Sequence, residues 1–245
     1  MHKRAEQIMK QEIYEKLCEI CGDESVFLQE SMSRHTTFRT GGPADILVTP
    51  KAEQLGQILE LCQREKEPLT VIGNGSNLLV GDGGIRGVVL EIGRQMADIR
   101  MDGTVITAGA GAMLSSIASK AAAASLTGME FASGIPGSLG GAVVMNAGAY
   151  GGEMKDILKE VTVMTSEGEL LTLQTEELDL SYRHSIIPEK GYLVVQAVLE
   201  LQPGKADEIQ AIMDDLKEKR VSKQPLEYPS AGSTFKRPEG YFAGK

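Results

Sequence analysis

The stretch from residue 132 to residue 152, ASGIPGSLGGAVVMNAGAYGG, constrains the fold more than any other part of the chain. It has no charged side chain and seven glycines, at positions 134, 137, 140, 141, 148, 151 and 152. Glycine is unfavourable inside a buried strand or helix, because it packs nothing and loses the most conformational entropy on ordering. We therefore interpret residues 134–141 as a loop whose bare backbone allows a ligand to approach closely.

A second glycine cluster, VIGNGSNLLVGDGGIRG, covers residues 71–87. A dinucleotide fingerprint must open a helix, whereas residues 78–80 are predicted to continue as a short strand. Either the cluster is a tight β-turn without a ligand, or its successive N–H groups form an anion nest with Ser76 and Asn77 as extra donors. Two uncharged donor clusters suit a long, phosphate-bridged planar cofactor. A nucleoside triphosphate is not indicated, because the chain has no G-K-[ST] sequence.

Composition argues against several classes of function. Of the 245 residues 42% are apolar, and the formal net charge is −9 without a run of like charges. A nucleic-acid partner needs a basic face, so none is predicted. No stretch approaches the roughly 20 apolar residues of a membrane-spanning helix, and the polar N-terminus does not resemble a signal peptide. We expect a cytoplasmic protein with no membrane partner and no obligatory protein partner.

The three cysteines do not indicate a metal site. Cys18 and Cys21 form a C-x-x-C pattern, but they lie within a predicted amphipathic helix and no second pair exists. We interpret them as reduced thiols rather than as a redox or zinc motif. Cys62 lies on the apolar stripe of another predicted helix and is expected in the core.

Hydrophobic periodicity predicts a mixed chain of helices and strands. Helices are predicted at about 3–21, 52–67, 113–128 (ended by Gly128) and 205–223; strands at 44–50, 68–72, 85–92, 105–111 and 192–201, with a hairpin at 161–173 turning at Glu167-Gly168. In the last helix Ile209, Ile212, Met213 and Leu216 are expected to face inward. Changes of pattern near residues 95 and 203 predict three parts, 1–95, 96–203 and 204–245.

Five motifs in a fixed order resemble one known family. They are HTTFRTGGPAD (35–45), GNGSNLLV (73–80), GIPGSLGGAVVMNAGAYGG (134–152), SYRHS (181–185) and SAGSTFKRP (230–238). Together they resemble the UDP-N-acetylenolpyruvoylglucosamine reductases, MurB. The resemblance implies an α+β chain with the FAD-binding fold of the vanillyl-alcohol-oxidase (PCMH) type, whose two subdomains would be 1–95, with the N-terminal helix, and 96–203. Residues 204–245 would begin a substrate-binding domain.

The resemblance also implies a reaction and a cofactor. Members of this family use NADPH and FAD to reduce the enolpyruvyl ether of a UDP-sugar to the lactyl ether of UDP-N-acetylmuramate, a step of peptidoglycan synthesis. FAD is expected to bind non-covalently, and no metal is expected. The cofactor-binding residues are predicted to be Gly73, Asn74, Gly75, Ser76, Asn77, Gly137, Ser138, Gly140, Gly141, Ala142, Asn146 and Gly148.

Two residues of the matching motifs are predicted to be catalytic. Arg183 corresponds to the family's arginine that stabilises the substrate carboxylate, a role that suits a bidentate guanidinium. Ser233 corresponds to the family's proton donor, which acts on a basic enolate carbon. Tyr182, Lys223 and Lys236 are predicted to contact the UDP-sugar substrate. His184 is expected to be structural.

Two other functions stay open at this stage, a flavin-dependent oxidase of the same fold and a flavin-binding module without catalysis. The family continues beyond SAGSTFKRP and has a late glutamate that no residue here matches. We therefore expect that part of the substrate domain is missing after Lys245, by truncation or incomplete recording. A protein of residues 1–245 is then expected to bind FAD and to show little turnover.

Overall fold

The chain folds around two β-sheets, as a computed structural model shows for residues 2–236, Pro238 and Gly240, with side chains from Lys10 onward. The five α-helices of this part are α1 His2–Cys21, α2 Leu55–Glu65, α3 Leu114–Ala123, α4 Leu139–Val144 and α5 Ala206–Lys223. The long strands are β1 Val26–Ser31, β2 Pro43–Val48, β3 Leu69–Ile72, β4 Ile85–Glu91, β5 Ile99–Asp102, β6 Val105–Gly109, β10 Leu158–Met164, β11 Leu170–Gln174 and β12 Leu193–Glu200. The two-residue strands are β7 Leu126–Thr127, β8 Gly148–Ala149, β9 Gly152–Glu153 and β13 Gln202–Pro203.

The first sheet has the strand order β1-β2-β4-β3. Strand β1 pairs antiparallel with β2, while β4 runs parallel to both β2 and β3. Strands β2 and β3 lie on either side of β4 and run in the same direction, so a crossover connects them; α2 lies in this connection. The connection from β3 to β4 carries the GNGSN residues, so these begin at the carboxyl end of β3, the edge where open parallel sheets usually bind ligands.

The second sheet is antiparallel and has the order β11-β10-β12-β6-β5. The predicted hairpin is confirmed, because β10 and β11 flank the turn at Gly168, whose φ is +84°. Helix α4 packs on the central strands β12 and β6 of this sheet. The sheets occupy residues 26–91 and 99–200, and α5 starts at Ala206. The domain boundaries near 95 and 203 stay predictions.

One hydrophobic cluster connects the two sheets. It includes Ile46 and Leu90 from the first sheet, Ile58 from α2, and Val161 and Leu199 from the second sheet. All five side chains are fully buried. Cys62 lies in the same cluster, as predicted, and burial raises its pKa to about 11. The same cause raises the pKa of Cys21 to about 11, so both free thiols are protonated at neutral pH.

Four details of the sequence-based prediction are wrong. The helix predicted for 113–128 ends at Ala123, because Ser125 adopts a left-handed φ of +57° and its carbonyl accepts a bond from Gly204 N–H. Residues 78–80, predicted as a short strand, form no strand in the described chain. Ile212 is 46% exposed rather than inward-facing. The segment 134–141 is not all loop, because α4 begins at Leu139.

One of the two glycines of α4, Gly140, has a packing reason. A Cβ on Gly140 would lie 3.0 Å from the Ala110 Cβ, so the helix approaches the end of β6 more closely than a larger residue permits. The Gly140 N–H donates to the Ala110 carbonyl at 2.8 Å. Among the described residues, no helix is both long and apolar enough to cross a bilayer, and no cluster of metal-ligating side chains occurs.

Candidate active site

Two glycine loops meet at the candidate active site. We call residues 73–77 the first glycine loop and residues 134–138 the second glycine loop. The Asn74 side chain donates to the Pro136 carbonyl at 2.7 Å, and a Cβ built on Gly73 would collide with the Ser138 hydroxyl. The sequence separates these loops by about sixty residues, and the fold brings them into contact.

The backbone of both loops offers hydrogen-bond donors. Within the described chain, none of the N–H groups of residues 73–77, 137 and 138 donates to another protein group. Successive N–H groups without protein acceptors are suited to phosphate oxygens. The two loops together therefore fit a phosphate-bridged dinucleotide.

Not every glycine here is needed for a ligand. A Cβ on Gly75 would collide with the His35 carbonyl, and Gly75 has a left-handed φ of +59°. Gly148 is equally restricted, by the Gly152 carbonyl at 2.7 Å. In contrast, Cβ atoms on Gly137 and Gly141 would make only ordinary contacts, at 3.7 Å or more. Nothing in the described chain requires glycine at these two positions, which is what a backbone kept clear for a ligand predicts.

Two further predicted cofactor residues are engaged within the protein. Asn146 is 1% exposed; its amide donates to Glu153 at 2.9 Å and to the Ser181 carbonyl at 3.2 Å, and its Oδ1 accepts from Lys155 N–H. Ala142 is buried on α4. The assignment of these residues to the cofactor stays a prediction.

The SYRHS segment is a tight turn at the far end of α4. Ser181 and His184 exchange backbone hydrogen bonds, and the Ser185 hydroxyl donates to the Val144 carbonyl at 2.8 Å. The turn holds Arg183 at a left-handed φ of +58°, with its guanidinium 5.3 Å from the centre of the Tyr182 ring. Arg183 pairs with no carboxylate in the described chain. The half-buried guanidinium is thus available to an anionic ligand.

The segment that carries Ser233 lies against the first glycine loop. We call residues 225–234 the serine segment. A Cβ on Gly232 would lie 3.3 Å from the Asn77 Oδ1, and Ser233 itself is exposed. The segment and the residues Phe38, Asn77 and Leu79 line a cavity of about 370 Å³. Helix α4 therefore lies between two groups of candidate residues. The first glycine loop and the serine segment are at its start, and Arg183 is at its end.

The two predicted lysines are exposed. Lys223 is the last residue of α5, and Lys236 follows the serine segment. Sequence reasoning missed Arg220 on the same helix, whose Cδ lies 3.1 Å from the position of a Cβ on Gly134. Arg220 places a cation beside the second glycine loop. The one feature of the sequence that could have indicated this residue was its position one helical turn before Lys223.

The His184 side chain contacts a carboxylate of the protein, and its structural role stays a prediction. Its Nε2 lies 3.1 Å from the Asp179 carboxylate. His35, to which the sequence analysis assigns no role, lies between two carboxylates. Its Nδ1 is 3.0 Å from Glu91 Oε2 and its Nε2 is 3.2 Å from Glu30 Oε1. Only the protonated ring has two N–H groups for both oxygens.

The His35 contacts predict a pH dependence of stability. The hydrogen bond to Glu91 raises the pKa of His35, partial burial opposes the rise, and the charge of Glu91 and the contacts with Glu30 add to it. A raised folded-state pKa stabilises the protein below the ordinary value of 6.5, and this contribution is lost as the pH rises through the folded-state pKa. Urea unfolding should show this decline above pH 6.5 in the parent and a flatter profile in His35→Gln. Identical profiles would contradict the assignment.

Comparisons with known proteins define the class first. The FAD binding domain family matches residues 44–174. The fold is also that of p-cresol methylhydroxylase, a structure with a TM-score of 0.59 at 16% identity, of which the chain covers 44% with 81% of its own length. The chain therefore belongs to the class of proteins with a PCMH-type FAD-binding fold.

Closer relatives define the family. The UDP-N-acetylenolpyruvoylglucosamine reductase of Agathobacter rectalis is 60% identical over 228 residues, which are 88% of this chain and 73% of the relative. The crystal structure of the corresponding reductase (MurB) from Thermus caldophilus has a TM-score of 0.76 at 35% identity, covering 89% of this chain and 76% of that one. The chain belongs to the UDP-N-acetylenolpyruvoylglucosamine reductase family.

Proposed function

We propose that this protein uses NADPH to reduce the enolpyruvyl ether of UDP-N-acetylglucosamine enolpyruvate, through bound FAD, to the lactyl ether of UDP-N-acetylmuramate. The product serves peptidoglycan synthesis in the cytoplasm. The observation that carries the proposal is the position of Ser233, which is exposed on a segment that contacts the first glycine loop at Asn77. A proton donor beside a flavin-binding loop is what reduction of a carbon–carbon double bond requires.

The glycine loops are proposed to hold the cofactor. Their donor N–H groups bind the pyrophosphate, while Gly137 and Gly141 keep the backbone clear for it. When bound, FAD takes two electrons from NADPH and supplies a hydride to the methylene carbon of the substrate. The chain's own residues then have two tasks, which are to stabilise charge on the substrate carboxylate and to provide a proton.

Arg183 is proposed to bind the carboxylate of the enolpyruvyl group. Hydride addition at the methylene carbon spreads negative charge into that carboxylate, so a fixed guanidinium stabilises the transition state more than the ground state. Two parallel N–H···O bonds also orient the group. The strained turn at Arg183 and its stacking on Tyr182 restrict the side chain before substrate arrives.

Ser233 is proposed to complete the reduction by protonating the carbon that bears the carboxylate. The enolate electron pair forms the new C–H bond with the serine proton. The serine oxygen then takes a proton back from water. Lys223 and Lys236 are proposed to meet the UDP diphosphate, and Tyr182 to contact the substrate beside Arg183.

One preparation tests the activity against its alternatives. The visible spectrum of the purified protein shows whether flavin is bound, and NADPH oxidation is then followed with and without the enolpyruvyl substrate, in air and anaerobically. Oxidation that depends on substrate and yields the lactyl ether supports the proposal. Turnover driven by oxygen would indicate an oxidase instead, and a yellow but inert protein would indicate a flavin-binding module.

Substitution of Ser233 by alanine tests the proton donor. In a version of the protein with the full length of its relatives, Ser233→Ala should leave flavin reduction by NADPH unchanged and slow flavin reoxidation by substrate about 10²-fold or more, because general-acid help is lost. Stopped-flow absorbance separates the two half-reactions. Ser166→Ala, at the remote β10–β11 turn, is the control and should match the parent. Equal slowing of both half-reactions in Ser233→Ala would assign the serine to folding rather than to chemistry.

A further inference from the structure

Thr37, a residue of the HTTF sequence to which no role is assigned above, connects the first glycine loop with the serine segment. Its backbone N–H donates to the Gly75 carbonyl at 3.2 Å. Its own carbonyl accepts from the Ser230 N–H at 3.2 Å, and its hydroxyl donates to the Ser230 carbonyl at 2.6 Å. One residue thus bonds both the first glycine loop and the serine segment.

The serine segment has little else to hold it. Apart from Ala231, every described residue from 224 to 236 is exposed, so burial of apolar surface contributes little to its position. Tyr228 and Phe235 are 68% and 74% exposed. A segment without a buried anchor opens easily, and its population in one position depends on its few hydrogen bonds.

The other side of the contact is rigid. Gly75 is buried, has a left-handed φ of +59°, and is pressed against the His35 carbonyl. The ring of His35 is held by Glu30 and Glu91. Thr37 therefore connects the exposed serine segment to a loop whose own position is determined by packing.

We infer that Thr37 is a positioning residue for proton transfer, whose hydroxyl holds the serine segment so that Ser233 faces the substrate above the flavin. The inference rests on the proposed function of Ser233. The hydroxyl pairs with the Ser230 carbonyl three residues before Ser233, and Gly232 continues the segment against Asn77. Loss of the hydroxyl allows the segment to leave this position without changing either glycine loop.

The test compares Thr37→Val, Thr37→Ser and a matched control. Valine keeps the β-branched shape and both backbone bonds of Thr37 but removes the hydroxyl, whereas serine retains the hydroxyl. The control is Thr175→Val, because the Thr175 hydroxyl also bonds a backbone carbonyl, that of Leu158 at 2.5 Å, on the remote side of the second sheet. All variants should bind FAD as the parent does.

The first measurement is hydrogen–deuterium exchange of the peptide spanning residues 228–234. Loss of one net hydrogen bond should speed exchange of this peptide about fivefold to tenfold in Thr37→Val. Thr37→Ser and Thr175→Val should exchange there like the parent. Unchanged exchange in Thr37→Val would overturn the inference, and this readout does not depend on turnover.

The second measurement separates the half-reactions. In Thr37→Val, flavin reduction by NADPH should be unchanged, whereas reoxidation by substrate should slow about fivefold to tenfold, with recovery in Thr37→Ser. Loss of flavin, or equal slowing of both half-reactions, would show that Thr37 acts through the glycine loop and would overturn the inference. These half-reactions are measured in a version with the full length of the relatives, and a parent of that length without substrate-dependent reoxidation would contradict the proposed function. The exchange data would still decide whether Thr37 holds the segment.

Discussion

Gly137→Val should yield a folded protein that has lost its flavin. Gly137 has no left-handed φ, and a Cβ there would make only ordinary contacts, 3.7 Å from Ile135 and 3.8 Å from the Ser76 hydroxyl. The protein therefore tolerates the side chain, but a bound pyrophosphate does not, because the two methyl groups occupy its approach to the N–H groups of both loops. Losing about two charge-assisted hydrogen bonds should weaken FAD binding about 10²- to 10⁴-fold.

The flavin-to-protein absorbance ratio and a titration of stripped protein with FAD measure this effect. Gly56→Val is the control, since a Cβ on Gly56 in α2 meets nothing closer than the Gly168 carbonyl at 3.9 Å. Gly75→Val is a useful contrast, because its side chain would collide with the His35 carbonyl. That variant should lose thermal stability together with flavin. Stoichiometric flavin in Gly137→Val would refute the role of the second glycine loop.

Asp45→Ala should lower the free energy of unfolding by about 3–4 kcal/mol. The Asp45 carboxylate is 1% exposed and pairs with Lys10 at 2.8 Å and with Arg86, and it accepts the buried Gly87 N–H at 3.1 Å. Burial would raise the pKa of Asp45, but Lys10, Gly87 and Arg86 together lower it below its usual value. Alanine leaves a buried N–H without its acceptor and removes the carboxylate that Lys10 and Arg86 share.

Urea unfolding of the flavin-free protein gives this number without a contribution from bound cofactor. Asp215→Ala, which breaks the exposed pair with Lys219 on α5, is the matched control and should cost no more than about 0.5 kcal/mol. Asp45→Asn retains an acceptor for Gly87 and should fall between the two. A cost for Asp45→Ala as small as that of the control would show that the buried cluster contributes specificity rather than stability.

Local pattern predicted much of the secondary structure. Apolar periodicity located α1, α2 and α5 and most strands of both sheets, because these elements bury one face or run through the core. It missed β1, whose residues Phe27 and Leu28 are both exposed, so burial does not alternate along it. The same pattern extended α3 too far, because the run of small residues there has good helix propensity. The helix ends earlier because the backbone of Ser125 is left-handed.

The site was predictable in its parts and not in its assembly. The glycine clusters and the SYRHS and SAGSTF motifs could be singled out from the sequence, the latter two through the family resemblance. Nothing local indicates that Gly73 would press against Ser138 or that Thr37 would bond Ser230, 193 residues later. Such contacts depend on the packing of whole elements. Helix α4 was missed for the same reason, since Gly140 is explained only by the close approach to Ala110.

The hydrophobic cluster that joins the two sheets determines how the molecule comes apart. Leu90 of the first sheet and Val161 of the second belong to one continuous set of buried side chains, so separating the halves near residue 95 would expose the inner faces of both. Neither half then has a complete core to fold around on its own. We expect a single cooperative unfolding transition, with coincident changes in far-ultraviolet circular dichroism and in flavin release.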